Sequence, residues 1–114
     1  MDTALPCISP AELAALLGRP DAPLLLDVRR RESFVASGHM LPAARWCAPE
    51  AVVALASAQA PTRVVVYCAH GHDLSQGATR ALRNAGWDAC FLRGGILGGE
   101  AHRWSAHAAP KVGA

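Results

Sequence analysis

The feature that most constrains this sequence is the apolar run Arg63–Tyr67, in which three valines stand side by side. Valine favours extended backbone, and a strand without polar alternation is buried on both faces. Strands of this kind lie in parallel sheets that helices cover on both sides. Residues 24–28 form a second short apolar run, interrupted by Asp27. Two such strands predict a sheet at the centre of the fold.

Strand and helix patterns alternate along the chain. Strands are predicted at residues 24–28, 44–47, 63–67 and 88–92, and helices at 10–17, 30–37, 49–59, from 74 to about 85, and from 95 to about 104. The first helix has the clearest start: Ser9 can cap it, Pro10 suits its first position and Glu12 can complete a capping box. This alternation indicates an α/β fold around a mostly parallel sheet.

Length and composition exclude several classes of protein. The 114 residues suffice for one domain, predicted over residues 1–114, and a 52% hydrophobic fraction can fill its core. The net charge of +2 comes from acidic and basic residues mixed along the chain, so no nucleic-acid partner is expected. No apolar run is long enough to span a bilayer, and the first residues lack a signal-peptide pattern, so we expect no membrane association and a cytoplasmic location.

Four cysteines lie at wide, irregular spacings without a C-x-x-C pair: Cys7, Cys47, Cys68 and Cys90. We expect free thiols rather than a disulfide framework. Cys68 stands apart because it directly follows a predicted buried strand and precedes a glycine-containing loop and a helix. Loop N–H groups and the positive end of the helix dipole stabilise a thiolate in such a position. The alternative is a buried structural cysteine at a strand end.

Asp27 and Cys68 each close a predicted strand. The carboxyl ends of parallel strands share one edge of the sheet, where sites in such folds form. We therefore expect both residues on that edge, with Gly71 letting the loop backbone curl around the sulfur.

Three segments resemble the rhodanese-like family. Residues 25–29, 32–34 and 38–44 resemble its opening motif, an Asp-Val-Arg followed by a turn of the Gly-His-Ile-Pro-Gly-Ala type. Residues 65–71, Val-Val-Tyr-Cys-Ala-His-Gly, resemble its active-site strand and loop. Residues 85–87 and 92–96 resemble its closing pattern, in which Gly-Gly-Ile follows the last strand. The resemblance covers about residues 8–104, in the family's order and spacing.

The resemblance implies a five-stranded, mostly parallel sheet flanked by helices, and a sulfurtransferase. Cys68 would be the nucleophile that carries sulfur as a persulfide, and the backbone amides of Ala69, His70, Gly71, His72, Asp73 and Leu74 would hold the transferred sulfur. The donor would be thiosulfate or a persulfide, and the acceptor a thiol, a cyanide-like molecule or a protein. No metal or organic cofactor is implied.

Three departures from the family pattern stand out. The turn at residues 38–44 holds one extra residue, Leu41, and the active-site loop is one residue longer than the usual sulfurtransferase loop. The arginine often found at the loop end is absent, and Asp73 or Leu74 takes its place. A longer loop is typical of phosphatases of this fold, but their chemistry requires an arginine at position 74 to clamp phosphate. A cysteine-based reductase or phosphatase, or a non-catalytic interaction module, are the alternatives to sulfur transfer.

The polar residues around Cys68 allow more than one role. His70 and His72 can add positive charge or a hydrogen bond beside the sulfur, or they are simply exposed loop histidines. With Cys68 they can also be read as metal ligands, but the spacing is cramped and no fourth ligand stands nearby. Asp73 has the spacing of a helix cap, with Gln76 completing a capping box.

Asp27 and Arg29 are interpreted as structural support for the edge of the sheet. Arg30 and Arg31 extend the basic run at that edge, so one of them can guide an anionic donor, or the run is simply a solvated face. Trp46, Trp87 and Trp104 are interpreted as packing residues.

Overall fold

The computed structural model describes residues 5–37 and 40–96. In chain order these residues form β1 (Cys7–Ile8), α1 (Pro10–Leu16), β2 (Leu24–Asp27), α2 (Arg31–Ser37), β3 (Arg45–Trp46), a 3₁₀ turn (Pro49–Ala51) that runs into α3 (Val52–Ala58), β4 (Arg63–Tyr67), α4 (Asp73–Asn84) and β5 (Asp88–Leu92).

The strands form one five-stranded sheet in the order β1-β5-β4-β2-β3, and every pair is parallel. The valine-rich β4 lies at the centre, between β5 and β2. The register sets Leu24 beside Val64 and Asp27 beside Tyr67. The predicted α/β fold and its five-stranded parallel sheet are confirmed.

Side chains of the central strand alternate between two hydrophobic clusters. Val64 and Val66 belong to one cluster, with Leu82 of α4, and Val65 and Tyr67 belong to the other, with Leu13 of α1. Both faces of β4 are therefore covered, and this is why its sequence shows no polar alternation.

The capping box predicted at the first helix is present. The Ser9 side-chain oxygen accepts a hydrogen bond of 3.1 Å from the Glu12 N–H, and the Glu12 carboxylate accepts one of 2.9 Å from the Ser9 N–H. Both donors would otherwise lack a partner at the helix start, so this pair determines where α1 begins.

Two strands differ from the prediction. The edge strand β1 was not predicted, because two residues carry no periodicity, and Cys7 and Ile8 are extended only through pairing with β5. The strand predicted at 44–47 is confined to Arg45–Trp46. The helical stretch predicted beyond Ile96, with Trp104, and residues 38–39 of the opening motif lie outside the described residues.

All four cysteines are free thiols, as predicted, and Cys90 on β5 is half-buried. Trp87 is buried, and its indole N–H donates to the Ala56 carbonyl oxygen at 3.3 Å. In the described part of the chain, no helix is long and apolar enough to cross a membrane.

Candidate functional site

Asp27 and Cys68 lie at the same edge of the sheet, as expected. Asp27 closes β2, and its register partner Tyr67 closes β4, so Cys68 is the first residue beyond that strand. The loop of residues 68–72 then leads directly into α4.

The thiol of Cys68 is held against the first turn of α4. Its Sγ donates to the side-chain oxygen of Ser75 at 3.2 Å, and Cys68 is only 4% exposed. Ser75 is completely buried, and its hydroxyl also lies 3.5 Å from the carbonyl oxygen of His72. The sulfur therefore sits at the amino-terminal end of a 12-residue helix, where the dipole favours negative charge.

The contact of Ser75 with Cys68 was not predicted from the sequence. The available signal was a hydroxyl residue seven positions after the cysteine, in the first turn of the predicted helix. Serine is common near helix starts for reasons unrelated to a site, so only the contact with Cys68 reveals its position.

Backbone packing against the turn after β5 fixes the active-site loop. Gly71 has a φ of +76°, and a Cβ there would lie 2.7 Å from the Gly94 nitrogen. Gly95 has a φ of +66°, and a Cβ there would lie 2.5 Å from the Cys68 carbonyl oxygen, which accepts a hydrogen bond of 3.0 Å from the Ile96 N–H. A side chain at either glycine would push the loop and the turn apart.

The thiol borders an open pocket of about 280 Å³. The lining residues come from the active-site loop, the start of α4 and the segment that leads into α2: Arg29, Arg30, Ser33, Cys68, Ala69, His70, His72, Asp73 and Leu74. The structure thus brings together the predicted loop residues, except that Gly71 lies buried beneath the pocket. Arg30 and Ser33 join them from a distant part of the sequence.

The capping box predicted at Asp73 is wrong. His72 occupies the cap position without a side-chain hydrogen bond, and Asp73 is the first residue of α4. Gln76 instead donates from its side chain to the Gly71 carbonyl oxygen at 3.0 Å. A capping residue must itself have non-helical backbone, and Asp73 is already helical, so its carboxylate is left exposed at the pocket.

His70 and His72 are exposed on the pocket wall, with their ring centres 6.4 Å apart. Within residues 5–37 and 40–96, no three His, Cys, Asp or Glu side chains are arranged to hold a metal ion. The two imidazoles are polar groups that line the pocket near the sulfur.

A buried ion pair supports the sheet edge next to the pocket. The Arg29 guanidinium contacts the Asp27 carboxylate at 2.6 Å, and their side chains are 3% and 0% exposed. Arg29 also donates to the Ser37 hydroxyl at 2.8 Å, and its carbonyl oxygen accepts from the Trp46 indole at 2.9 Å. The pair thereby joins β2 to α2 and β3.

Tyr67 connects the same edge to the turn that contains the extra residue. Its hydroxyl oxygen accepts a hydrogen bond of 3.1 Å from the Leu41 N–H, and Leu41 itself is buried. Burial, followed by the charge of Asp27, raises the pKa of Tyr67 far above its ordinary value. The phenol therefore stays neutral and acts as a structural group.

Removing the partner of Arg29 should destabilise the protein. Asp27→Ala leaves a buried guanidinium without its carboxylate, which should cost about 3–5 kcal/mol of unfolding free energy in urea titrations. The matched control is Asp21→Ala, because Asp21 pairs with Arg19 on the surface at 3.2 Å, and this variant should cost less than about 1 kcal/mol. If both variants lose the same unfolding free energy, the buried pair stabilises the protein no more than the surface pair does.

The thiols should differ in reactivity. Burial raises the pKa of Cys47 and of Cys90, so both remain protonated to higher pH and should alkylate slowly at pH 7. Cys68, beside the Ser75 hydroxyl and the start of α4, should alkylate fastest, as followed by peptide mass spectrometry.

Ser75→Ala should slow Cys68 alkylation roughly tenfold at pH 7. The Ser75 hydroxyl accepts from the thiol in this structure, and once the thiol ionises it can turn to donate to the thiolate, which alanine cannot do. The deficit should vanish at high pH, where the thiolate forms without help. Ser57→Ala, at an exposed helical serine, is the control. If the rate of Cys68 alkylation depends on pH identically in Ser75→Ala and in the unchanged protein, Ser75 does not assist the thiolate.

Solved structures with the same architecture include several rhodanese-like proteins. A rhodanese-like domain protein from Staphylococcus aureus matches with a TM-score of 0.75 and 21% identity, over 94% of this chain and 99% of that one. A rhodanese homologue from Thermus thermophilus matches with a TM-score of 0.62 and 30% identity, over 80% and 96%. A thiosulfate sulfurtransferase from Pseudomonas aeruginosa matches with a TM-score of 0.72 and 21% identity, over 96% of this chain but 20% of its own.

Fold similarity alone does not single out one chemistry. A protein from Rhodopseudomonas palustris, described as of unknown function and a possible tyrosine phosphatase, matches with a TM-score of 0.69 and 20% identity, over 81% of this chain and 76% of that one. No curated protein gives a significant match.

The sequence model of the rhodanese-like domain matches residues 9–102. That range holds four of the five strands, β2 to β5, together with the active-site loop that contains Cys68 and the Gly94-Gly95 turn packed against it. The chain belongs to the rhodanese-like domain family.

Proposed function

We propose that this protein is a sulfurtransferase that carries sulfane sulfur as a persulfide on Cys68. The observation that carries the proposal is the position of the thiol, which is fixed on the first turn of α4 and yet borders a pocket open to small molecules. Buried structural cysteines, the alternative considered from sequence, have no reason to border such a pocket.

In the first half of the reaction the Cys68 thiolate attacks the outer sulfur of the donor. With thiosulfate, a bond forms between Cys68 Sγ and that sulfur, the donor S–S bond breaks, and sulfite leaves with the bonding electron pair. The product is Cys68–S–S⁻. The total charge of −3 is the same on both sides of this step, and no oxidant or reductant is needed.

In the second half a thiophilic acceptor takes the outer sulfur. A thiolate or cyanide attacks it, the Cys68 S–S bond breaks, and the electron pair returns to Sγ as thiolate. We propose that the acceptor is a small thiol, a cyanide-like molecule or a protein thiol.

The loop provides the groups that such a cycle requires. We propose that the backbone amides of residues 69–74 hold the outer sulfur, as the resemblance to the family implies, and that the α4 dipole favours the anionic forms of Cys68. These groups belong to the chain itself, so the reaction as written uses neither a metal nor an organic cofactor. Free thiols fit a reducing compartment, so we also propose a cytoplasmic location.

Phosphatase chemistry is the rival supported by a longer loop and by one structural neighbour. It requires a guanidinium at the loop end to clamp phosphate bidentately, and Leu74 stands there. Arg29 does not replace it, because its guanidinium is bound to Asp27. A reductase or a non-catalytic module on this fold remains an outcome of the tests below.

Cys68→Ser should abolish sulfur loading while leaving the protein folded, because oxygen cannot form the persulfide. Intact mass after treatment with thiosulfate or an organic persulfide should show one added sulfur atom, removable by cyanide, in the unchanged protein only. Cys47→Ser and Cys90→Ser are the controls and should load normally. Sulfur mapped to another cysteine, or loading that survives in Cys68→Ser, would refute the assignment.

Thiosulfate should be a poor donor because Asp73 repels a dianion at the pocket. Asp73→Asn should raise the efficiency for thiosulfate roughly two- to fivefold at low salt, relative to an uncharged persulfide, and less at high salt. Asp73→Ala should act similarly, since Asp73 is not the helix cap. The measurement is the ratio of kcat/KM for the two donors at two salt concentrations. A ratio that stays constant would show that Asp73 does not act on the donor.

A further inference from the structure

The lining of the pocket beside Cys68 carries two opposite charges from separate elements, Arg30 just before α2 and Asp73 at the start of α4. We propose that these residues recognise a zwitterionic sulfur donor, an amino-acid persulfide whose carboxylate meets Arg30 and whose ammonium group meets Asp73. This inference rests on the proposed sulfurtransferase function and specifies its donor.

Two arginines line the pocket, and among the described residues no carboxylate forms an ion pair with Arg30. Arg29 is buried and bound to Asp27, whereas Arg30 is exposed. The ion pairs between described residues are Arg19–Asp21 and Arg29–Asp27, so the Arg30 charge is available to a ligand. The carbonyl oxygen of Arg30 accepts a hydrogen bond of 2.9 Å from the Phe34 N–H, which fixes the backbone from which the side chain reaches the pocket.

Asp73 is the corresponding anion. It is exposed, it makes no capping hydrogen bond, and within the described residues it takes part in neither ion pair. Arg30 and Asp73 therefore form no ion pair with each other, and both line the pocket that Cys68 borders. A ligand that carries both charges can satisfy both groups at once.

The pocket also has room for a small organic donor. Its volume is about 280 Å³, many times the roughly 10–15 Å³ that one water molecule needs on the same measure. The pocket is therefore large enough to hold the amino-acid side of the donor beside the transferred sulfur.

The charges also discriminate between donors. A dianion meets Asp73 unfavourably, and an uncharged persulfide displaces water from both charged groups without replacing its hydrogen bonds. A zwitterion avoids both penalties. The proposed specificity thus has two sources: Arg30 and Asp73 attract the two charges of the zwitterion, and Asp73 repels a dianionic donor.

The transfer step itself is balanced. The Cys68 thiolate attacks the outer sulfur of R–S–S–H, the donor S–S bond breaks, and R–S⁻ leaves with the electron pair, which gives Cys68–S–S–H. Arg30 and Asp73 hold the carboxylate and ammonium of R and exchange no proton or electron with the sulfur.

The test compares three donors: cysteine persulfide, its N-acetyl derivative without the ammonium charge, and its methyl ester without the carboxylate. Loading rates of Cys68 are measured by intact mass for the unchanged protein, Arg30→Gln and Asp73→Asn. Arg31→Gln and Glu32→Gln are matched controls, because these neighbouring exposed residues do not line the pocket.

We expect Arg30→Gln to raise the KM for cysteine persulfide roughly three- to tenfold and to leave the ester unaffected, since a charged hydrogen bond is lost only with the acid. Asp73→Asn should raise the KM for cysteine persulfide by a similar factor, and it should not weaken binding of the N-acetyl derivative. Equal sensitivity of acid and ester to Arg30→Gln, or control variants as impaired as these two, would overturn the inference.

A second measurement does not depend on sulfur transfer. S-methylcysteine, which cannot donate sulfur, should protect Cys68 from alkylation, and Arg30→Gln or Asp73→Asn should remove the protection. Absence of loading from every donor would refute the proposed function, whereas absence of protection in the unchanged protein would refute the zwitterion site.

Discussion

The buried ion pair between Asp27 and Arg29 is the interaction on which the edge of this sheet depends. Each charge would be costly to bury alone, and each is stabilised by the other at 2.6 Å. Around them the Ser37 hydroxyl, the Trp46 indole and the ring of Phe34 contact Arg29, so α2 and β3 are attached to the end of β2. The segment that leads from β2 into α2 and lines the pocket with Arg30 and Ser33 is therefore attached to the sheet edge.

The active-site loop, residues 68–72, is shaped by close backbone contact with the turn after β5. The loop after Cys68 packs so closely on the turn after β5 that Gly71 and Gly95 leave no room for a Cβ. With the loop backbone held in this way, Ser75 meets the sulfur from the first turn of α4. The sulfur is thus positioned by two strand ends and one helix start, and none of these elements would suffice alone.

The charges around Cys68 come from two separate elements. At the end of the active-site loop, where an arginine would add positive charge, Asp73 is negative and Leu74 is neutral. Positive charge in the pocket lining comes instead from Arg30, which follows the buried Arg29. Separated charges of opposite sign favour a dipolar ligand over a simple anion.

The sequence by itself determined the architecture, because the apolar strands, the capping box at Ser9 and the strand–cysteine–loop–helix pattern at Cys68 are local signals. It also placed Asp27 and Cys68 on one edge, since parallel strands end together. The edge strand β1 could not be predicted, because its two residues form a strand only through pairing with β5. The tertiary structure alone decided that Ser75 contacts the thiol, that Asp73 is not a cap, and that Arg30 rather than Arg31 lines the pocket beside Cys68. Such contacts join residues that only folding brings together, and no local periodicity encodes them.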